Sequence, residues 1–169
     1  MNGLRQCIAA ALVFACTPLI IKRKFLPYCI LVILISTFHE SALALIPIYF
    51  VVKEKAWSKK MIKFMIIAMV MIVFYQLVSP FIFKILEYTS YGKYSEFSEG
   101  GSSLMRTIVN SVPVVLAYIK REELEEKWQI KDIFVNMSII NLIFVSLGMF
   151  NWIFNRFALY TQLFSFYIS

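Results

Sequence analysis

The sequence predicts an all-α integral membrane protein, a polytopic helical bundle of about five to six membrane segments. Three observations predict it. Of the 169 residues 60% are apolar, and the mean hydropathy is +0.75, far above a soluble domain. The apolar residues fall into runs at about 4–21, 25–52, 62–86, 104–119, 133–150 and 157–169. A run of about 18 or more residues with few charges reads as a membrane span. The charges collect in the connections "KRK", "KEKAWSKK", "EYTSYGKYSEFSEGGSS", "KREELEEKWQIKD" and "NWIFNR".

The first run has an early arginine and resembles a signal peptide, but no secreted soluble domain follows, so it reads as a span. The second run, 25–52, has 28 residues and is too long. One helix of that length would reach about 42 Å, against a hydrocarbon core of about 30 Å. Charge counting separates the alternatives. If 25–52 crosses once, Lys and Arg divide 7 against 10 between the two faces. If it enters and returns as a re-entrant hairpin turning near Phe38–Ser41, loops 22–24, 53–60 and 120–132 share one face and the division is 12 against 5. The second division matches the excess of basic residues in cytoplasmic loops. Backbone that turns at membrane depth must be buried in protein or line a wet cavity, so the hairpin also predicts a polar site at its tip.

The runs at 62–86, 104–119 and 133–150 then cross in turn. The last run stops after about 13 residues, short of the roughly 20 that a span needs. Residues 1–169 therefore read as a single transmembrane region, the middle to C-terminal part of a longer membrane protein. The net charge of +7 belongs to membrane-flanking loops, so the expected partner is the lipid bilayer and not nucleic acid. Cys7, Cys16 and Cys29 lie in apolar segments and have neither metal-ligand spacing nor a disulfide pattern. No Walker loop, Rossmann glycines or paired carboxylates occur, so no metal and no cofactor is expected.

In the hairpin topology Arg5 with Gln6, Arg106, and Asn155 with Arg156 all lie toward the outer face, and the hairpin carries His39 past the midplane toward them. His39 is the chain's one histidine. Its plain reading is a buried ring satisfied by a carbonyl; its functional reading is proton transfer near neutral pH. Glu40 adjoins it, and the two can meet only at a turn. The plain reading of each arginine is a side chain snorkelling to headgroups; the functional one is a planar fork of donors for phosphate or carboxylate. Arg156 and Tyr160 share a helix face, as do Arg106 and Asn110. Tyr88, Tyr91, Tyr94 and Phe97 read as an aromatic belt, or as stacking surfaces for sugars. The stretch 120–132 reads as a solvated helix with Arg121/Glu125 and Glu123/Lys127 pairs.

The stretch "NGLRQCIAAALVFA", a short basic loop and then "FHESALALIPIYF" resemble the EpsG family, as do "LMRTIVNSVPVVLAYI" and "NRFALYTQLF". The resemblance implies a protein of the bacterial cytoplasmic membrane, multi-pass, in exopolysaccharide and capsule synthesis, similar to Wzy-type polymerases. Such a glycosyltransferase-type enzyme joins undecaprenyl-pyrophosphate-linked oligosaccharide repeats at the outer face, beside other polysaccharide export and assembly proteins. Arg5, Gln6, His39, Ser41, Arg106, Asn155, Arg156 and Tyr160 match family pattern positions. On that basis Arg5 and Arg156 are expected to hold the pyrophosphate, with Arg106 in support. His39 is expected to deprotonate or orient the acceptor hydroxyl, with Glu40 setting its tautomer. Arg5, His39 and Arg156 are thus the candidate catalytic residues, and Gln6, Glu40, Ser41, Arg106, Asn155 and Tyr160 the candidate substrate-binding ones. Family members are longer than this chain. Two other readings stay open: a non-catalytic membrane subunit or transporter of lipid-linked glycans, and an inactive truncated remnant.

Overall fold

The computed structural model describes residues 2–87, 103–122 and 131–168, and among these every regular element is helical. The helices are α1 (Asn2–Ala15), α2 (Thr17–Ile21), α3 (Phe25–Ser36), α4 (Leu45–Val52), α5 (Lys59–Val73), α6 (Tyr75–Leu86), α7 (Leu104–Ile119), α8 (Lys131–Leu147) and α9 (Ile153–Ile168). A 3₁₀ turn, Glu40–Ala44, sits between α3 and α4. The tyrosines and Phe97 of the 87–103 connection lie outside the described residues. So do Glu123, Glu125 and Lys127 of the paired charges read in 120–132.

Residues 25–52 do double back. Phe25, at the start, packs its ring 5.2 Å from Tyr49 and 5.0 Å from Phe50, near the end. Tyr28 stacks at 5.1 Å against Tyr49, and its hydroxyl donates to the Leu45 carbonyl at 3.4 Å. A single straight helix would hold Phe25 and Tyr49 about 36 Å apart at 1.5 Å per residue. The chain turns through His39, whose backbone is extended (φ −156°) and whose ring caps the 3₁₀ turn.

The hairpin's feet meet the other basic connections at one end of the bundle. Arg23, Lys53 and Lys55 line one recess there. Asp132 accepts from the Ala56 amide at 3.0 Å, and the buried Asn136 donates to the carbonyls of Val52 (3.1 Å) and Glu54 (2.7 Å). Loops 22–24 and 53–58 and the start of α8 therefore share an end, as the charge count requires. At the opposite end Gln6 meets Arg156, and Tyr75 stacks on Phe150 at 4.8 Å.

The central element is α8. Residues 133–141 are buried all round, the mark of a helix enclosed by others. It packs on α9, α7, α5 and α4. Phe14, Phe134 and Phe164 knit α1, α8 and α9 through edge-on and tilted ring contacts, with centroids 4.9–6.4 Å apart. Polarity runs inside out. Leu77 and Phe81 are 77% and 74% exposed, whereas Asn136 and Asn141 are fully buried. A large exposed apolar surface over an interior of hydrogen-bonded amides suits lipid better than water.

Two expectations change. The run 62–86 is not one straight span: α5 and α6 meet at Phe74 with a bend of 99°. The bend seats Tyr75 against Phe150 and Phe154. The connection 151–156 is also shorter than expected, because Asn151 Oδ1 accepts from the Ile153 amide at 3.0 Å and starts α9 there. Asn155 and Arg156 thus lie in the first turn of a helix. By length and composition one described helix, Gly3–Ile21, is long and apolar enough to cross a membrane, and a second if the bent pair counts as one span. Helices α7, α8 and α9 have 16, 17 and 16 residues, or roughly 24–26 Å.

Two prolines, Pro18 in the first turn of α2 and Pro80 inside α6, are accommodated by the same device. Pro18 offers no N–H to the Phe14 carbonyl, and the hydroxyl of Thr17 donates to it instead. Pro80 leaves the Gln76 carbonyl open, and Ser79 Oγ reaches it at 3.5 Å. In a medium without water a freed carbonyl needs such a partner.

Candidate functional site

His39 stands at the hairpin tip because the sequence makes it the cap of a tight turn. Ser41 is two residues on, and its backbone N–H points back at the ring, 3.4 Å from Nδ1. The Ser41 hydroxyl lies 2.6 Å from the same Nδ1 and 2.8 Å from the Tyr160 hydroxyl. Ser41 and Tyr160 are each 1% exposed, while His39 is half-buried with a face open. The result is a line of three groups from the core outward: Tyr160, Ser41, His39.

The donors fix the ring's state. A backbone amide can only donate, so Nδ1 offers it a lone pair. Ser41 Oγ then donates to Nδ1 and accepts from Tyr160. The proton of the neutral imidazole is left on Nε2, at the opposite edge. Ser41, not Glu40, is thus the residue in hydrogen-bonding contact with the ring. Glu40 is exposed and forms no hydrogen bond among the described residues, although its charge, like that of Arg156, acts on His39.

Helix α9 supplies the other side. Arg156 and Tyr160 share a face, one turn apart. The Arg156 guanidinium lies 4.4 Å from the ring centroid of Trp152, which just precedes α9, in cation–π contact. Buried Gln6 donates to the Arg156 carbonyl at 2.7 Å, tying α1 to the same turn. Arg5 is exposed beside Gln6 and points elsewhere on α1. Asn155 turns away from His39: its amide donates to the Gly148 carbonyl at 3.4 Å, and its Oδ1 is buried without a partner. Arg106 belongs to a different network. Asn110 donates to the Arg106 carbonyl at 2.8 Å, Asn141 to Asn110 at 2.8 Å, and Thr161 to Asn141 at 3.3 Å.

The structure therefore gathers His39, Ser41, Tyr160, Arg156 and Gln6, and leaves Arg106 and Asn155 in neighbouring contacts. Sequence reasoning missed Trp152, although its place four residues before Arg156 was a readable sign. It also missed the Asn141–Thr161 link, which no spacing reveals because the partners are on different helices. Among the described residues no group of histidine, cysteine and carboxylates is placed to hold a metal ion.

No curated protein and no solved structure matches the sequence significantly. The model of the EpsG family matches residues 1–169. The chain belongs to the EpsG family, and so to a membrane-associated group related to polysaccharide biosynthesis.

Proposed function

We propose that the His39 site serves a polysaccharide polymerase of the bacterial cytoplasmic membrane, acting as part of a multi-pass protein on undecaprenyl-pyrophosphate-linked oligosaccharides at the outer face. Family membership supports the pathway. The observation that carries the site assignment is the convergence of Arg156 and the Ser41-bound His39 at the end opposite the basic loops.

In this reading the acceptor hydroxyl attacks the anomeric carbon of the donor glycan. The bond from that carbon to the pyrophosphate oxygen breaks, and the departing pyrophosphate takes up the hydroxyl proton. Arg156, steadied over Trp152, neutralises the negative charge that grows on the leaving group. Of the two roles expected for His39, the tautomer supports orientation: Nε2–H donates to a substrate oxygen and Nδ1 is already engaged. Ser41 and Tyr160, buried, hold the ring and do not touch the glycan.

The test is replacement of His39 or Arg156 by alanine in the complete protein, in cells that make the polymer. Polymer should vanish while the protein stays in the membrane and lipid-linked repeats collect on the outer side. Normal polymer from His39→Ala would remove His39 from the mechanism. Repeats trapped on the cytoplasmic side would favour a transporter.

A further inference from the structure

We propose that α6 is an interfacial helix of the outer leaflet: it lies along the bilayer surface, with Leu77, Phe81 and Ile85 among the acyl chains and Gln76 and Lys84 in water. The inference rests on the membrane reading of the chain and not on the polymerase.

The direction of α6 follows from that of α5. Helix α5 begins beside the basic feet of the hairpin and runs alongside α8. Near its start Met61 shares a buried cluster with Val135 and Ile139; near its end Ile72 joins Leu147 and Phe154. Both helices therefore point from the basic end of the bundle to the opposite one. The 15 residues of α5 cover about 22 Å, most of a hydrocarbon core of about 30 Å. At Phe74 the chain then turns by 99°. It turns where Tyr75 stacks on Phe150, in the connection between α8 and α9. Having reached the outer end, the chain runs across it as α6 and does not re-enter the bundle.

Helix α6 has three sides. Tyr75 and Ile82 share one, and they join the cluster of Leu147, Ile153 and Phe154. Leu77, Phe81 and Ile85, four residues apart in turn, share a second, and all three are largely exposed. Gln76 and Lys84 share a third with Pro80 between them, also exposed. A side for protein, a side for hydrocarbon and a polar side with a basic residue is the pattern of a helix lying in the surface plane. A helix that crosses lipid has no water for its polar side. Exposed apolar surface also runs along α5 through Ile66, Met69 and Val73 to Phe74 and then Leu77. The lipid contact of α5 thus continues onto α6. The arrangement has a consequence for depth. Phe154 and Phe157, in the cluster that α6 packs on, flank Arg156 in α9. The level at which α6 floats is therefore the level of Arg156, at the headgroups.

The experiment is a depth measurement by spin-label power saturation on the complete protein in lipid vesicles. Native cysteines are replaced by alanine, and one nitroxide-labelled cysteine is placed at Gln76, Leu77, Phe81, Lys84 or Ile85. All five side chains are exposed, so the changes remove little packing. Collisions with oxygen report immersion among acyl chains, and collisions with a nickel chelate report water. Labels at Leu77 and Ile85 should lie within about 6 Å of one depth, even with α5 tilted by about 20°, and should favour oxygen. Labels at Gln76 and Lys84 should favour nickel. In intact cells the Lys84→Cys thiol should react with a membrane-impermeant maleimide added outside. A depth difference of about 12 Å between Leu77 and Ile85, the rise of a helix along the membrane normal, would overturn the proposal and make α6 half of a broken span. Labels at Leu77, Phe81 and Ile85 shielded from both reagents would also overturn it, and would give that side to a protein partner. Protection of the Lys84→Cys thiol until the cells are opened would overturn the assignment to the outer leaflet.

Discussion

Gly148 sits in the turn between α8 and α9 with no unusual backbone angle; what it supplies is room. A Cβ there would lie 2.4 Å from Asn155 Oδ1, 2.7 Å from Cγ and 2.8 Å from Nδ2. Ordinary contact needs 3.5 Å or so, so the whole amide must retreat by about 1 Å. In doing so it loses its bond to the Gly148 carbonyl. Gly148→Ala is expected to cost about 1–3 kcal/mol, the usual range for overpacking. In thermal unfolding of the detergent-solubilised protein this is a fall of about 2–12 °C. Asn155→Ala alone should cost little, about 0.6 kcal/mol for one long interhelical hydrogen bond, partly offset because it removes a buried oxygen that has no partner. The double variant should be more stable than Gly148→Ala, since the clashing amide is gone. Strict additivity of the two changes would refute the close-approach account.

Three further outcomes follow from the contacts. Ser41→Ala strips the hydroxyl donor from His39 Nδ1 and removes the serine partner of the buried Tyr160 hydroxyl, so polymer synthesis by the complete protein should fall more than with Tyr160→Phe, which spares the Ser41–His39 bond; the reverse order would show that Tyr160 acts independently of the ring. Asn136→Leu removes the donor shared by the Val52 and Glu54 carbonyls and should lower stability by about 1–3 kcal/mol, read by thermal unfolding; an unchanged transition would mean water serves those carbonyls. Cysteines placed at Arg23 and Trp57 should both react from the cytoplasmic side only, and reaction from opposite sides would sink the hairpin topology.

The hairpin was legible because two quantities in the sequence disagreed: an apolar run longer than a bilayer, and a charge count that made sense only with a return. The return itself is held by Phe25, Tyr28, Tyr49 and Phe50, which look like any apolar residues until they meet. The break at Phe74 left no comparable trace. No charge or glycine marks it, and the contact that goes with it is made some 75 residues away, at Phe150. Candidate site residues on one helix, such as Arg156 and Tyr160, could be paired by spacing alone. Ser41 could not be assigned its role that way. Its contact with Tyr160 depends on how α9 lies beside the turn, which is set by burial of Phe14, Phe134 and Phe164. Trp152 was within reach of the same spacing rule that paired Arg156 with Tyr160.

The polar links of the His39 site also impose an order of assembly. Gln6 is bonded 150 residues ahead in the chain, and Ser41 119 residues ahead, both to α9. A ribosome delivers α1 and the hairpin to the membrane long before it makes those partners. Until α9 emerges, Gln6 and Ser41 must wait with their polar groups answered by water or by the insertion machinery. The tip cannot close early, and the site comes into being only as α9 docks.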